Sequence, residues 1–258
     1  MNSENINWVI PHERLSLSKG EIHIWKIALD DPALKPEDLY NDILSEDERE
    51  RADRFRFSEY GNRFIAARAC LRKILGTYCN TKPSDIVFEY NEHGKPGIPE
   101  GSNLEEIQFN LSHSGDLALC AITKERAVGI DIEFLRQVTR PEKILERFFS
   151  DRERAYYYSQ PESMKIRAFL KLWTIKEALS KALGTGFSSQ LKEIDLSPAL
   201  ESSFPARASI SQTNDSGIWS ILQITPCDGY LGGLAYRGGA KQIRYFLARS
   251  ESRREIVP

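Results

Sequence analysis

A chain of 258 residues with 35 Lys and Arg against 37 Asp and Glu carries a formal net charge of −2. No global basic field therefore recommends nucleic acid or an anionic membrane as partner, and any anion site must be local. Wholesale disorder is excluded, the length allows one large domain or two small ones, and Cys70, Cys79, Cys120 and Cys227 show no C-x-x-C spacing that would suggest zinc or a disulfide framework.

Met1 to Trp8 has no basic segment leading into an apolar one, and no stretch reaches the roughly 18 apolar residues that span a bilayer. A cytoplasmic protein is expected. Glu21 to Leu29 reads as a strand whose apolar phase switches midway, with Ile22 and Ile24 on one face and Trp25, Ile27 and Leu29 on the other. Ser45, followed by Glu46, Asp47 and Glu48, reads as a helix N-cap with acids at the favourable end of the dipole. A helical pattern then runs from Arg63 through Leu75 and stops at Gly76. A strand is expected over Asp85 to Tyr90, a polar turn at 92–97, and a hairpin with arms Ile107 to Leu111 and Leu117 to Thr123.

The second half restates this order. Ser150 with Asp151 and Glu153 opens a helix as Ser45 does, and Leu179-x-Lys181-x-Leu183-Gly184 closes one as Leu71-x-Lys73-x-Leu75-Gly76 does. The expectation is an α+β fold of two similar α/β subdomains, 1–126 and 127–258, related by a pseudo-twofold, with a ligand cleft between them. Common cap chemistry in any helical pair is the plainer account.

Asp131 and Glu133 alternate with Ile130 and Ile132, so on a strand both carboxylates leave one face. A solvent-facing edge strand gives the same pattern. Gly129 just before them permits close backbone approach, and Glu177 adds a carboxylate to an otherwise apolar helix, four residues from Lys181. Glu177 is either a surface partner of Lys181 or a ligand. If strand and helix meet, three carboxylates and an ammonium converge, which suits a hard divalent cation holding a phosphate-bearing substrate. His113, between Ser112 and Ser114, could bind an anion or be structural. Gly94-Lys95-Pro96 is an ordinary turn or a rigid loop presenting an ammonium. Arg51, Arg63, Arg68 and Arg72 form a phosphate clamp or a solvated helix face. Phe148, Phe149, Tyr156, Tyr157 and Tyr158 fit a docking patch less well than a core.

In their order, Gly-Lys-Pro (94–96), Phe-Asn-Leu-Ser-His-Ser (109–114), Val-Gly-Ile-Asp-Ile-Glu (128–133), Arg-Phe-Phe-Ser (147–150) and Leu-Trp-Thr-Ile-Lys-Glu-Ala-Leu-Ser-Lys (172–181) resemble the 4'-phosphopantetheinyl transferase superfamily. The length and two-halved layout resemble its surfactin-synthetase-activating type. The resemblance implies that Asp131, Glu133 and Glu177 hold Mg2+ against the pyrophosphate of coenzyme A, and that Lys181 touches the phosphates. It puts Ser112 and His113 at the 3'-phosphate end of coenzyme A, Gly94, Lys95 and Pro96 in the loop beside the adenine, and Arg51 at a basic phosphate contact, to which the helical recurrence adds Arg63 as a coenzyme A-binding candidate. The sequence departs at Glu48, where some relatives carry a basic residue.

The implied reaction is attack by a serine hydroxyl of an apo acyl or peptidyl carrier protein on coenzyme A, releasing 3',5'-ADP. Glu177 would be the general base, directly or through a metal-bound water, and Lys181 would neutralise the leaving phosphate. A monomer is expected, with no nucleic acid or membrane partner. The alternative is a non-catalytic coenzyme A or nucleotide-binding module. A phosphoryl or nucleotidyl transferase of another family has less support, since no G-x-x-x-x-G-K-[ST] loop is present.

Overall fold

The computed structural model describes residues 6–11, 15–99, 101–102, 106–201, 206–210 and 217–248. Residues 1–5, read above for targeting, lie outside the described residues. The first half runs β1 (Glu21–Ala28), α1 (Pro36–Asp42), α2 (Glu46–Asp53), α3 (Ser58–Cys79), the short pair β2 (Glu89–Tyr90) and β3 (Pro96–Gly97), then the hairpin β4 (Ile107–Ser114) and β5 (Leu117–Lys124). The second runs β6 (Val128–Phe134), α4 (Pro141–Phe148), α5 (Asp151–Ser159), α6 (Lys165–Leu183), α7 (Pro198–Glu201), β7 (Ala206–Ile210), β8 (Gly217–Ile224), β9 (Tyr230–Arg237) and a last strand, β10 (Gln242–Leu247).

Two four-stranded sheets carry this order, β10-β1-β5-β4 and β6-β9-β8-β7. In each, the strand that opens the half pairs antiparallel with the strand that closes its hairpin, β1 with β5 and β6 with β9. The repeat expected from the caps is thus present in the topology, and the fold is α+β with two subdomains. One element crosses over: β10 runs parallel to β1, Glu21 opposite Gln242 through Lys26 opposite Leu247. The span 127–258 therefore contains a strand of the first sheet.

Strand alternation puts one apolar set on each sheet face. Ile22, Ile24, Leu119 and Ala121 meet Val128, Ile130, Ile132 and Leu234 between the sheets. The opposite phase, Trp25, Ile27 and Cys120, packs under α3 through Leu71 and Leu75. Helix α6 covers the second sheet through Ile175 and Leu179 over Trp219 and Ile221. The phase switch within β1 therefore marks a strand buried on both faces. Of the aromatic residues at 148–158, Phe149 and Tyr157 are buried, while Tyr158 is exposed. Among the described residues no helix is long and apolar enough to cross a membrane.

Buried charge ties each long helix to its short capped neighbour. Glu48, closing the capping box of Ser45, accepts from Arg68 Nε at 2.7 Å and Arg72 Nε at 2.6 Å. Arg72 also donates to the carbonyls of Pro83 and Ile86, at 3.0 and 2.7 Å. In the second half Glu153 accepts from Ser150 N, Leu196 N and the wholly buried Lys176, whose ammonium also reaches the carbonyls of Leu191 and Ile194. Three expectations need correction here. Arg68 and Arg72 serve the core and form no phosphate clamp. Residues 85–90 are not one strand, because a 3-10 turn at Pro83–Asp85 lends its flanking carbonyls to Arg72 and only Glu89–Tyr90 is extended. Helix α3 does not stop at Gly76; it ends at Cys79, with Asn80 left-handed at φ 52°.

Candidate active site

The two sheets meet edge to edge at β4 and β6. Along β4 every second residue is short and polar, and each bonds β6. Asn110 Oδ1 accepts from Ile130 N at 2.8 Å, Ser112 Oγ donates to Asp131 Oδ1 at 2.8 Å, and Ser114 Oγ donates to Glu133 at 2.8 Å and accepts from Phe134 N at 3.1 Å. Side chains here do what a backbone ladder does within a sheet. They also aim the two carboxylates.

Helix α6 closes the other wall. An added Cβ on Gly129 would lie 2.0 Å from Ala178 O and 2.4 Å from Ala182 N, and one on Gly233 would lie 2.5 Å from Thr174 O. Only glycine admits the helix this near. At that spacing Lys181 Nζ reaches Asp131 Oδ1 at 2.6 Å and Ser112 Oγ at 2.9 Å. With Lys176 buried on the core side of α6, the half-buried Glu177 is turned toward the strand's carboxylates.

Each of these groups lies in the field of the others. Burial first, then the charge of Asp131, pushes the Glu177 carboxyl up to about 7; Glu133 adds to this and Lys181 opposes it. Glu133 is raised by burial and by Asp131, against a hydrogen bond from Ser114. Asp131 Oδ2 is buried and takes no hydrogen bond among the described residues. The three carboxylates repel one another across this seam, and such repulsion among oxygen donors is of the kind that a hard divalent cation relieves. Among the described residues no three such side chains already close on one point as a ligand set. The ammonium of Lys181 serves as the counter-charge of Asp131.

Beyond the carboxylates lies a cationic wall. His113 is exposed at the rim; desolvation of its ring, then the positive charges of Lys181, Arg51 and Arg63, hold its pKa below the ordinary imidazole value. With the residue exposed, the three cations are the firmer cause. Arg51 is exposed and lies over the Phe64 ring at 5.3 Å, while Arg63 is bound to Asp116 and to Glu59 at 2.8 Å. This cluster can take an anion beside the carboxylate site.

The Gly94-Lys95-Pro96 turn lies at the same seam. Gly94 has φ 76°, and Pro96 pairs with Tyr90 across β2–β3. A cavity of about 370 Å³ lies between this hairpin and the end of α6, lined by Tyr90, Lys95, Pro96, Phe109, Ala182 and Gly184. The Lys95 ammonium does not stand free in it. It points inward to the carbonyls of Lys181 and Val128. Ser112 is likewise engaged, on Asp131 and Lys181, leaving His113 as the member of that pair that faces outward. The sequence puts Ser114 beside His113 as an anion-binding hydroxyl, whereas here Ser114 and Asn110 join β4 to β6, a role that their period-two spacing with Ser112 alone does not specify.

Comparison with known proteins bears on this geometry directly. A model of the 4'-phosphopantetheinyl transferase superfamily matches residues 127–234, and one described as 4'-phosphopantetheinyl transferase, N-terminal, matches 31–125. The 4'-phosphopantetheinyl transferase HetI of Nostoc sp. is 38% identical over 239 residues, 93% of this chain and 97% of that protein. This chain belongs to the 4'-phosphopantetheinyl transferase superfamily. The 4'-phosphopantetheinyl transferase Sfp of Bacillus subtilis is 31% identical over 169 residues, covering 65% of this chain and 73% of Sfp. The two family matches abut at 125 and 127, at the turn between β5 and β6. The phosphopantetheinyl transferase of this chain thus sets its carboxylates on the superfamily region and its basic wall on the N-terminal one.

Proposed function

We propose that the protein transfers the 4'-phosphopantetheine arm of coenzyme A to a serine hydroxyl of an apo acyl or peptidyl carrier protein, releasing 3',5'-ADP, with Mg2+ as the required ion. The observation that carries this reading is the convergence of Asp131, Glu133 and Glu177 on one seam beside Lys181, with one Asp131 oxygen unpaired. Asp131, Glu133 and Glu177 would hold the ion. The ion they hold would supply Lewis-acid neutralisation of the pyrophosphate charge.

The remaining work falls to the chain's own groups. His113, Arg51 and Arg63 anchor the 3'-phosphate end, and Lys181 holds charge on the diphosphate. Glu177, the carboxylate that α6 sets beside the strand's two, would take the serine proton directly or through a metal-bound water. The serine oxygen forms a bond to the β-phosphorus as the bond to 3',5'-ADP breaks, and the serine proton passes to the Glu177 carboxylate. Intact-mass measurement of apo carrier proteins, after incubation with the protein, coenzyme A and Mg2+, tests the reading. A phosphopantetheine adduct on one serine is expected. Tight binding of coenzyme A with no adduct on any carrier would reduce the protein to a binding module.

A further inference from the structure

Lys95 belongs to the first half, yet its ammonium serves the second. It donates to the carbonyl of Lys181 at 2.7 Å and to that of Val128 at 3.2 Å. The first carbonyl lies in the last turn of α6, where no intrahelical donor remains and a cation is favoured by the helix dipole. The second opens β6. These are the two elements that carry Asp131, Glu133, Glu177 and Lys181, and a single side chain bridges them at their adjoining ends.

The turn presenting Lys95 is itself braced. Asn91 Oδ1 accepts from His93 N at 3.0 Å and Lys95 N at 2.9 Å, and Asn91 Nδ2 donates to Gly184 O at 3.3 Å, just past the helix end. Gly186 lies against His93, so that an added Cβ would meet its Nδ1 at 3.3 Å. Keeping an ammonium here is costly: burial, then the charge of Lys181, brings the Lys95 pKa down to about 8. A flexible surface lysine would incur no such cost.

We infer that Lys95 is a positioning residue, which fixes the last turn of α6 against the start of β6 and thereby holds the Lys181 ammonium on Asp131. It reaches the reaction through Lys181, not by touching coenzyme A. The inference rests on the transferase reading above.

A double-mutant cycle tests it, with wild type, Lys95→Met, Lys181→Met and the double variant assayed for transfer to an apo carrier protein across a range of coenzyme A. Each single variant is expected to lower kcat about tenfold or more, since a misplaced charge is enough to do so. The KM for coenzyme A should move less than about threefold in Lys95→Met, and the double variant should fall within about twofold of Lys181→Met alone. Losses that multiply, or a Lys95→Met defect confined to KM, overturn the inference. Thermal unfolding is followed alongside; should Lys95→Met not fold, Lys95→Gln carries the same cycle and the same expectations. A wild type that transfers nothing removes the transferase reading as well. Multiplying losses with an active wild type remove this inference alone.

Discussion

The two halves solve the same packing problem with the same parts and then diverge at one seam. In each, a serine caps a short helix, the glutamate three residues on is buried, and a cation from the long helix meets it: Arg68 and Arg72 on Glu48, Lys176 on Glu153. Where strand meets long helix, the first half is apolar, with Trp25 and Ile27 packed under Leu71 and Ala69. The second half sets Asp131 and Glu133 against Glu177 and Lys181. A repeated scaffold thus leaves the chemistry free to occupy one copy, with the other reduced to a basic wall and a bracing hairpin.

That division can be broken by experiment. Glu177→Gln and Asp131→Ala should each lower the rate of pantetheinyl transfer by about a thousandfold, roughly 4 kcal/mol, in protein that circular dichroism shows to be folded. Near-normal transfer by either would return the seam to mere packing. Glu48→Ala should do the reverse. It strands two buried guanidinium groups and should cost about 3–4 kcal/mol in urea unfolding, while the protein that remains folded keeps its turnover. A stable Glu48→Ala protein would show that the buried pairs are dispensable.

A third test sets pH against the first half alone. His23 is wholly buried, and burial, then the charge of Arg244, lowers its pKa to about 4. The unfolded chain takes up a proton at about 6.5 and the folded one only near 4, so stability is complete above the first value and falls as pH drops toward the second, by about 3 kcal/mol in all. His23→Gln should flatten that limb of the stability profile; an unchanged profile would assign it to other groups. Smallest is the effect at the rim. Arg51→Ala should weaken coenzyme A binding about fivefold in calorimetry, with kcat at saturation unaltered.

Much of this was legible because it is local. Caps at Ser45 and Ser150, the left-handed stop at Gly184, and the alternation of Asp131 and Glu133 are patterns a few residues long, and so is the phase switch in β1. What sequence order hides is the far partner. The arginines of α3 repeat at helical spacing whether they face water or Glu48, whose position twenty or more residues upstream leaves no trace in the period. Lys95 reads as a presented ammonium until the carbonyl of Lys181 is found beneath it. Strands β8 and β9 went unread, the latter because Gly232 and Gly233 interrupt its pattern, and those glycines are what let α6 and Asp131 come so near.

The crossing of β10 carries a consequence for biogenesis. The first lobe emerges from the ribosome one strand short, with the edge of β1 bare until Gln242–Leu247 has been synthesised and can pair in parallel. Its final closure waits on a strand more than 200 residues downstream of β1, and a stop codon ahead of Gln242 would damage the lobe furthest from it in sequence.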